Sequence, residues 1–153
     1  MRFKKLIFLD FDGVIVTATS NYDKLDPKCM EHLSTIIQSV EGSAIVISST
    51  WRKFKKLIEL KEMMSPWVTM CVIGCLDKVD INNEDHRGNL ITEFLESKIH
   101  PNYLKEIENY IVLDDETFQL KNHMDHLVHT TTGVGLTKEK ADEAILKLQG
   151  KLL

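Results

Sequence analysis

The sequence predicts an α/β fold, a doubly wound parallel sheet of about five strands with helices on both faces, and three observations carry that prediction. Short apolar runs rich in β-branched residues recur along the chain, segments of helical apolar spacing alternate with them, and most of the runs stop on a polar or acidic residue. A strand that is apolar at every position is buried on both faces, which calls for helices above and below a parallel sheet. In such a sheet the carboxyl ends of the strands form the ligand-binding edge.

The first run, Leu6-Ile7-Phe8-Leu9, reads as strand one and ends in the turn Asp10-Phe11-Asp12-Gly13. Asp26 and Pro27 open a helix as N-cap and first helical position, Met30, Leu33, Ile36, Ile37 and Val40 repeat along one face, and Gly42 closes it. Ala44 to Ile47 is strand two, and Ser48-Ser49-Thr50 then caps a helix whose apolar positions are Trp51, Phe54, Leu57 and Ile58. Val68 to Ile73 is strand three, followed by Gly74 and Asp77. Gly88 to Ser97, with Leu90, Ile91, Phe94 and Leu95, is the next helix. Ile111-Val112-Leu113 forms strand four and stops on Asp114-Asp115, and Leu127-Val128 is a short fifth strand. Thr137 caps a last helix that turns Ala141, Ala144, Ile145 and Leu148 inward, with Gly133 and Gly135 as turn glycines before it. The alternation is Rossmann-like, no repeat or linker interrupts it, and 153 residues suit a single domain over 1–153.

Composition narrows the function. Hydrophobic residues at 43% and charged residues at 27% are those of a folded globular chain, and a formal charge of -4 argues against coating nucleic acid through a global positive field and leaves room only for a local basic patch. The three cysteines, Cys29, Cys71 and Cys75, make no disulfide framework and read as buried thiols in a reducing, cytoplasmic setting. Asp10 and Asp12 interrupt the opening apolar run, so neither a membrane span nor a signal peptide is expected.

On extended backbone, residues i and i+2 point the same way, so Asp10 and Asp12 can face one site while Phe11 packs away from it. Asp114 and Asp115 bring further carboxylates to the same edge. At about 4 Å two like charges repel by ~4 kcal/mol at an effective dielectric near 20, so a cation is needed to hold such a group together. An all-oxygen donor set suits hard magnesium rather than zinc. Each acid alone would serve equally well as a turn or capping residue. Placed together at the ends of two buried strands, they point to a site.

Asp10-Phe11-Asp12-Gly13-Val14 after an apolar strand resembles the first motif of the haloacid dehalogenase (HAD) superfamily, most of whose members are phosphatases. Ser48 closing strand two is similar to its second motif, and Asp114-Asp115 closing strand four to its acidic fourth motif. Ser48-Ser49-Thr50-Trp51-Arg52, Arg87-Gly88 and Gly135-Leu136-Thr137 are similar to a small subgroup that accompanies nucleic-acid repair modules. The resemblance implies a HAD-like fold and a magnesium-dependent phosphomonoester hydrolase. Asp10 would be the nucleophile that forms an aspartyl-phosphate, Asp12 the acid/base, and Ser48 a phosphoryl ligand. Arg87 would supply the third-motif cation, with Lys78 and Lys98 as alternatives. Magnesium would be held by the Asp10 side chain, the Asp12 backbone carbonyl and one or both of Asp114 and Asp115, with Asp115 the preferred direct ligand. Dehalogenases of the superfamily lack the second acid, so carbon-halogen cleavage is set aside.

Only about a dozen residues, Val16 to Asp26, separate the first motif from its helix, and Leu76 to His86 is similarly short, so no large cap domain is expected. In this superfamily an open site often goes with large substrates such as nucleic-acid ends or phosphoproteins, though some capless members act on small metabolites as oligomers. Gly13, Ser49, Trp51 and Arg52 are the candidate substrate contacts. Arg52, Lys53, Lys55 and Lys56 with Trp51 could form a basic, aromatic surface for an oligonucleotide terminus, against the plainer reading of a buried helix face with solvated lysines. His123, His126 and His129 lack ligand spacing and read as surface or core residues. The other class considered is a receiver-type signalling module, which also carries a phosphoaspartate on a doubly wound sheet but does not turn over.

Overall fold

Strands β1 (Lys5–Leu9), β2 (Ser43–Ile47), β3 (Val72–Cys75), β4 (Asn109–Asp114) and β5 (Leu127–His129) pair in parallel in the order β3-β2-β1-β4-β5. They belong to a computed structural model that describes residues 3–76, 86–96 and 107–151. From β1 the chain moves outward through β2 to β3, then returns to the other side of β1 for β4 and β5. The switch point therefore lies between β1 and β4, the two strands that end in acids. Receiver modules order their strands 2-1-3-4-5, so the topology removes that reading.

Alternation along each strand divides the core between the two faces. Ile7, Leu9, Ile45, Ile47, Ile111, Leu113 and Val128 pack on one face with helices α1 (Pro27–Ser39) and α5 (Lys138–Leu148). Leu6, Phe8, Ala44, Val46, Val112 and Leu127 pack on the other with α4 (Arg87–Glu96) and the 3₁₀ segment Phe118–His126. Because both sets are buried, the apolar strands need no polar face. α1 starts where its cap is, on Asp26 followed by Pro27, and α5 starts on Thr137, whose side chain accepts the Lys140 N–H at 3.2 Å.

Three sequence expectations are corrected. Val68 is in a short helix, α3 (Pro66–Thr69), capped by Ser65, so β3 starts four residues later than expected. After β2 there is no continuous amphipathic helix. Ser49 caps a 3₁₀ turn, Thr50–Lys53, and a separate α2 (Leu57–Glu62) follows, burying Leu60 alone. Phe54 and Ile58, expected on a buried face, are 74% and 60% exposed. α4 begins at Arg87, one residue before its expected start. Asp77, Lys78, Ser97 and Lys98 lie outside the described residues. Among the described residues no cap domain covers the sheet edge, and no helix is long and apolar enough to cross a membrane.

Candidate active site

The register that pairs Leu9 with both Ile47 and Leu113 sets Asp10 between the ends of β2 and β4. The Asp10 N–H donates to Leu113 O at 3.1 Å, and the Ser48 N–H donates to Leu9 O at 2.9 Å, so the ladder continues one residue into the site on each side. Carboxylate oxygens of Asp10, Asp114 and Asp115 lie within 4.8 Å of one another. Asp10 is 4% exposed and Asp114 fully buried, whereas Asp115 is half-buried and accepts a hydrogen bond from Thr132 Oγ1 at 2.8 Å.

Arg87, on the first turn of α4, reaches into this group. Its Nη1 bonds Asp114 Oδ2 at 2.6 Å and lies 3.5 Å from Asp10 Oδ2. A closed circuit holds it there: Arg87 N–H donates to Gln119 Oε1 (3.0 Å), Gln119 N–H to Glu116 Oε1 (2.9 Å), and Glu116 N–H to Asp114 Oδ1 (3.0 Å). His123, buried beneath, bonds Gly88 O at 2.9 Å and the Tyr110 hydroxyl at 2.8 Å, which ties the start of α4 to the segment after β4. Gln119 and His123 were not foreseen as supports. The only sequence trace of the circuit is Glu116 and Gln119, three residues apart just after the acidic pair.

Burial, and next the Asp114 carboxylate, hold the Asp10 carboxyl well above its ordinary range against the opposing pull of Arg87. Burial raises Asp114 as well, again against Arg87. Among the described residues, one arginine stands against three converging carboxylates, two of them buried. The shortfall in positive charge and the all-oxygen donor set fit a hard divalent cation. Ser48 Oγ is fully buried and has no hydrogen-bond partner among the described residues. Leaving such a hydroxyl unsatisfied costs about 1–3 kcal/mol, so it is suited to a ligand oxygen.

Asp12 stands apart from the carboxylate group. It is exposed, and its Oδ2 accepts the Trp51 indole N–H at 3.0 Å. Trp51 is held from behind by Phe11, with ring centroids 5.4 Å apart. The other expected substrate contacts face inward. Ser49 is fully buried and caps the Trp51 N–H at 3.1 Å. Arg52, a candidate for a basic surface in the sequence, is fully buried, and its Nη1 donates to Ser48 O at 2.9 Å and Ser49 O at 2.8 Å. Gly13 uses its N–H on Val16 O and its carbonyl on Thr130 Oγ1. Of the four expected substrate contacts, Trp51 is the one whose side chain meets Asp12.

A family model described as the HAD domain in Swiss Army Knife RNA repair proteins matches residues 6–141. The HAD domain of the effector protein Lem4 from Legionella pneumophila is similar in fold, with a TM-score of 0.57 over 99% of each chain at 15% identity. No curated protein matches.

Proposed function

The chain belongs to the family of HAD domains in Swiss Army Knife RNA repair proteins, and on that premise we propose that it is a magnesium-dependent phosphomonoester hydrolase working through an aspartyl-phosphate. The observation that carries the reading is the convergence of Asp10, Asp114 and Asp115, with Arg87 among them, at the switch point of the sheet.

Asp10 is the nucleophile. Phe11 N–H fixes its Oδ1 at 2.8 Å, and Oδ2 is left near Arg87 to attack phosphorus. The P–O bond to the leaving alcohol breaks as the aspartyl-phosphate bond forms, and Asp12 gives its proton to the departing oxygen. In the second step Asp12 takes a proton from water, the water oxygen bonds phosphorus, and the acyl-phosphate bond breaks to return Asp10 and release phosphate. Asp12 is exposed at the edge of the site, within reach of water, whereas Asp10 is buried. Ser48 Oγ donates to a phosphoryl oxygen and Arg87 offsets charge on the transferring group. The Asp10, Asp114 and Asp115 carboxylates and the Asp12 carbonyl would hold magnesium, which would supply further positive charge against the phosphoryl oxygens. The substrate class that suits an open site is a phosphorylated nucleic-acid end or nucleotide, ahead of small metabolites, and the free cysteines suit a cytoplasmic setting.

Sustained, magnesium-dependent hydrolysis of an aryl phosphate tests the proposal. Asp10→Asn should lower kcat by on the order of 10⁴ or more with an unchanged circular-dichroism spectrum. An Asp10→Asn protein that turns over near the parent rate would remove Asp10 as nucleophile.

A further inference from the structure

The loop after β2 presents aromatic surface beside the acid/base. Buried Arg52 clamps the Ser48 and Ser49 carbonyls from below, so the loop is fixed where it leaves the sheet. Above the clamp, Trp51, Phe54 and Lys55 line an open recess of about 210 Å³. Trp51 is shared by the recess and the reacting centre, since its indole N–H is bonded to Asp12. Phe54, at 74% exposure, has left the core altogether, so its ring face is open to a ligand in the recess. Phe118 is nearly as exposed, but Lys121 Nζ lies over its ring at 5.2 Å.

From this arrangement we infer that the Trp51–Phe54–Lys55 recess is the leaving-group subsite, and that it takes the terminal nucleotide of a phosphorylated strand with its base stacked on Phe54. The inference rests on the proposed role of Asp12. The acid must touch the leaving oxygen, so the group bonded to that oxygen lies on the Asp12 side of phosphorus, which is the side of Trp51. Two rings favour a planar, aromatic occupant. Lys55 offers a cation beside the rings and so favours an occupant that carries a second anionic group, as the next phosphodiester of a strand does. A small sugar phosphate has no ring for Phe54, and the recess side chains offer its hydroxyls no acceptor. On a chain of net charge -4, attraction to a nucleic-acid end must come from such a local pairing of ring and ammonium.

The test compares phosphorylated oligoribonucleotide ends that carry a base on the terminal sugar with otherwise identical abasic ends. The parent protein should favour the base-bearing end by about 5- to 100-fold in kcat/KM, mostly through KM, the range expected for one stacked base. Phe54→Ala should bring that ratio close to one, and Phe54→Tyr, which keeps the ring, should preserve it. Equal kcat/KM for the two ends in the parent, or a ratio that Phe54→Ala leaves intact, overturns the inference, as it would if the rings serve a protein partner instead. Hydrolysis of the abasic end reports on the proposed reaction separately. Should no substrate turn over, quenching of tryptophan fluorescence by nucleoside monophosphates against ribose 5-phosphate still decides the question. A 5- to 100-fold lower Kd for the nucleotide that Phe54→Ala abolishes supports the subsite, and equal Kd values reject it.

Discussion

Gly13 has no side chain, yet it determines how close two motifs come. Its φ of +81° is strained for any residue with a Cβ, and a Cβ built there would collide with the Asp115 carboxylate. The acidic group can close because position 13 leaves room. Gly13→Ala should therefore push Asp115 outward, destabilise the fold by about 1–2 kcal/mol through the backbone conformation, and weaken magnesium binding. A magnesium titration and a denaturant melt on the same variant check both, and an unchanged metal Kd would show that Asp115 does not depend on this contact. The acids themselves were legible because the spacing of Asp10 and Asp12 and the doublet Asp114-Asp115 follow apolar runs, a local pattern. The inward turn of Ser49 and Arg52 was not legible. A capping serine and an arginine among lysines read as surface, and burial of a guanidinium beneath two carbonyls is set by the tertiary path of the chain.

Among the elements, α1 is stabilised at its start by one carboxylate with three donors. Asp26 accepts from Lys28 N–H at 2.9 Å, Cys29 N–H at 3.4 Å and Thr17 Oγ1 at 2.6 Å. Burial works to raise its pKa, but the Thr17 hydroxyl and the helix N–H groups outweigh it and leave the carboxyl below the ordinary value of 3.8. Asp26→Ala should cost about 1–2 kcal/mol near neutral pH, from the lost cap and an orphaned hydroxyl. Because the folded-state pKa lies below the unfolded one, this contribution is present above about pH 4 and lost as pH falls through the folded value. Parent and variant stabilities, compared by denaturant unfolding at pH 7 and pH 3, should draw together at the lower pH. A constant difference would remove the carboxylate from the account. Caps such as Asp26-Pro27 and Thr137 made α1 and α5 readable, since the signal and its effect lie within one turn. The segment after β2 misled for the opposite reason: Trp51, Phe54 and Ile58 keep helical spacing, but Phe54 and Ile58 face solvent, and periodicity does not say which face is buried.

At the scale of the whole molecule, the alternation of β and α segments implied a parallel sheet but not its strand order, and the order β3-β2-β1-β4-β5 creates an electrostatic problem that the molecule as a whole must solve. Placing β4 beside β1 brings Asp10 and Asp114 together in a buried setting, and both carboxyls are raised above their ordinary value of 3.8. A raised folded-state pKa means that the folded protein holds these protons more tightly than the unfolded chain does. The associated stability is therefore complete below about pH 3.8 and lost as pH rises through the raised values. A divalent cation that takes the place of the protons would reverse the trend, since its binding releases them and strengthens with pH. Magnesium at about 100 times its Kd would stabilise the fold by ~2.7 kcal/mol, or about 5–10 °C in Tm for a chain of this size. The increment should be largest at pH 8, shrink toward pH 5, and fall in Asp114→Asn. Thermal melts with and without magnesium at the two pH values measure it. A Tm that ignores magnesium at pH 8 would mean that the converging carboxylates are held by Arg87 and shared protons alone.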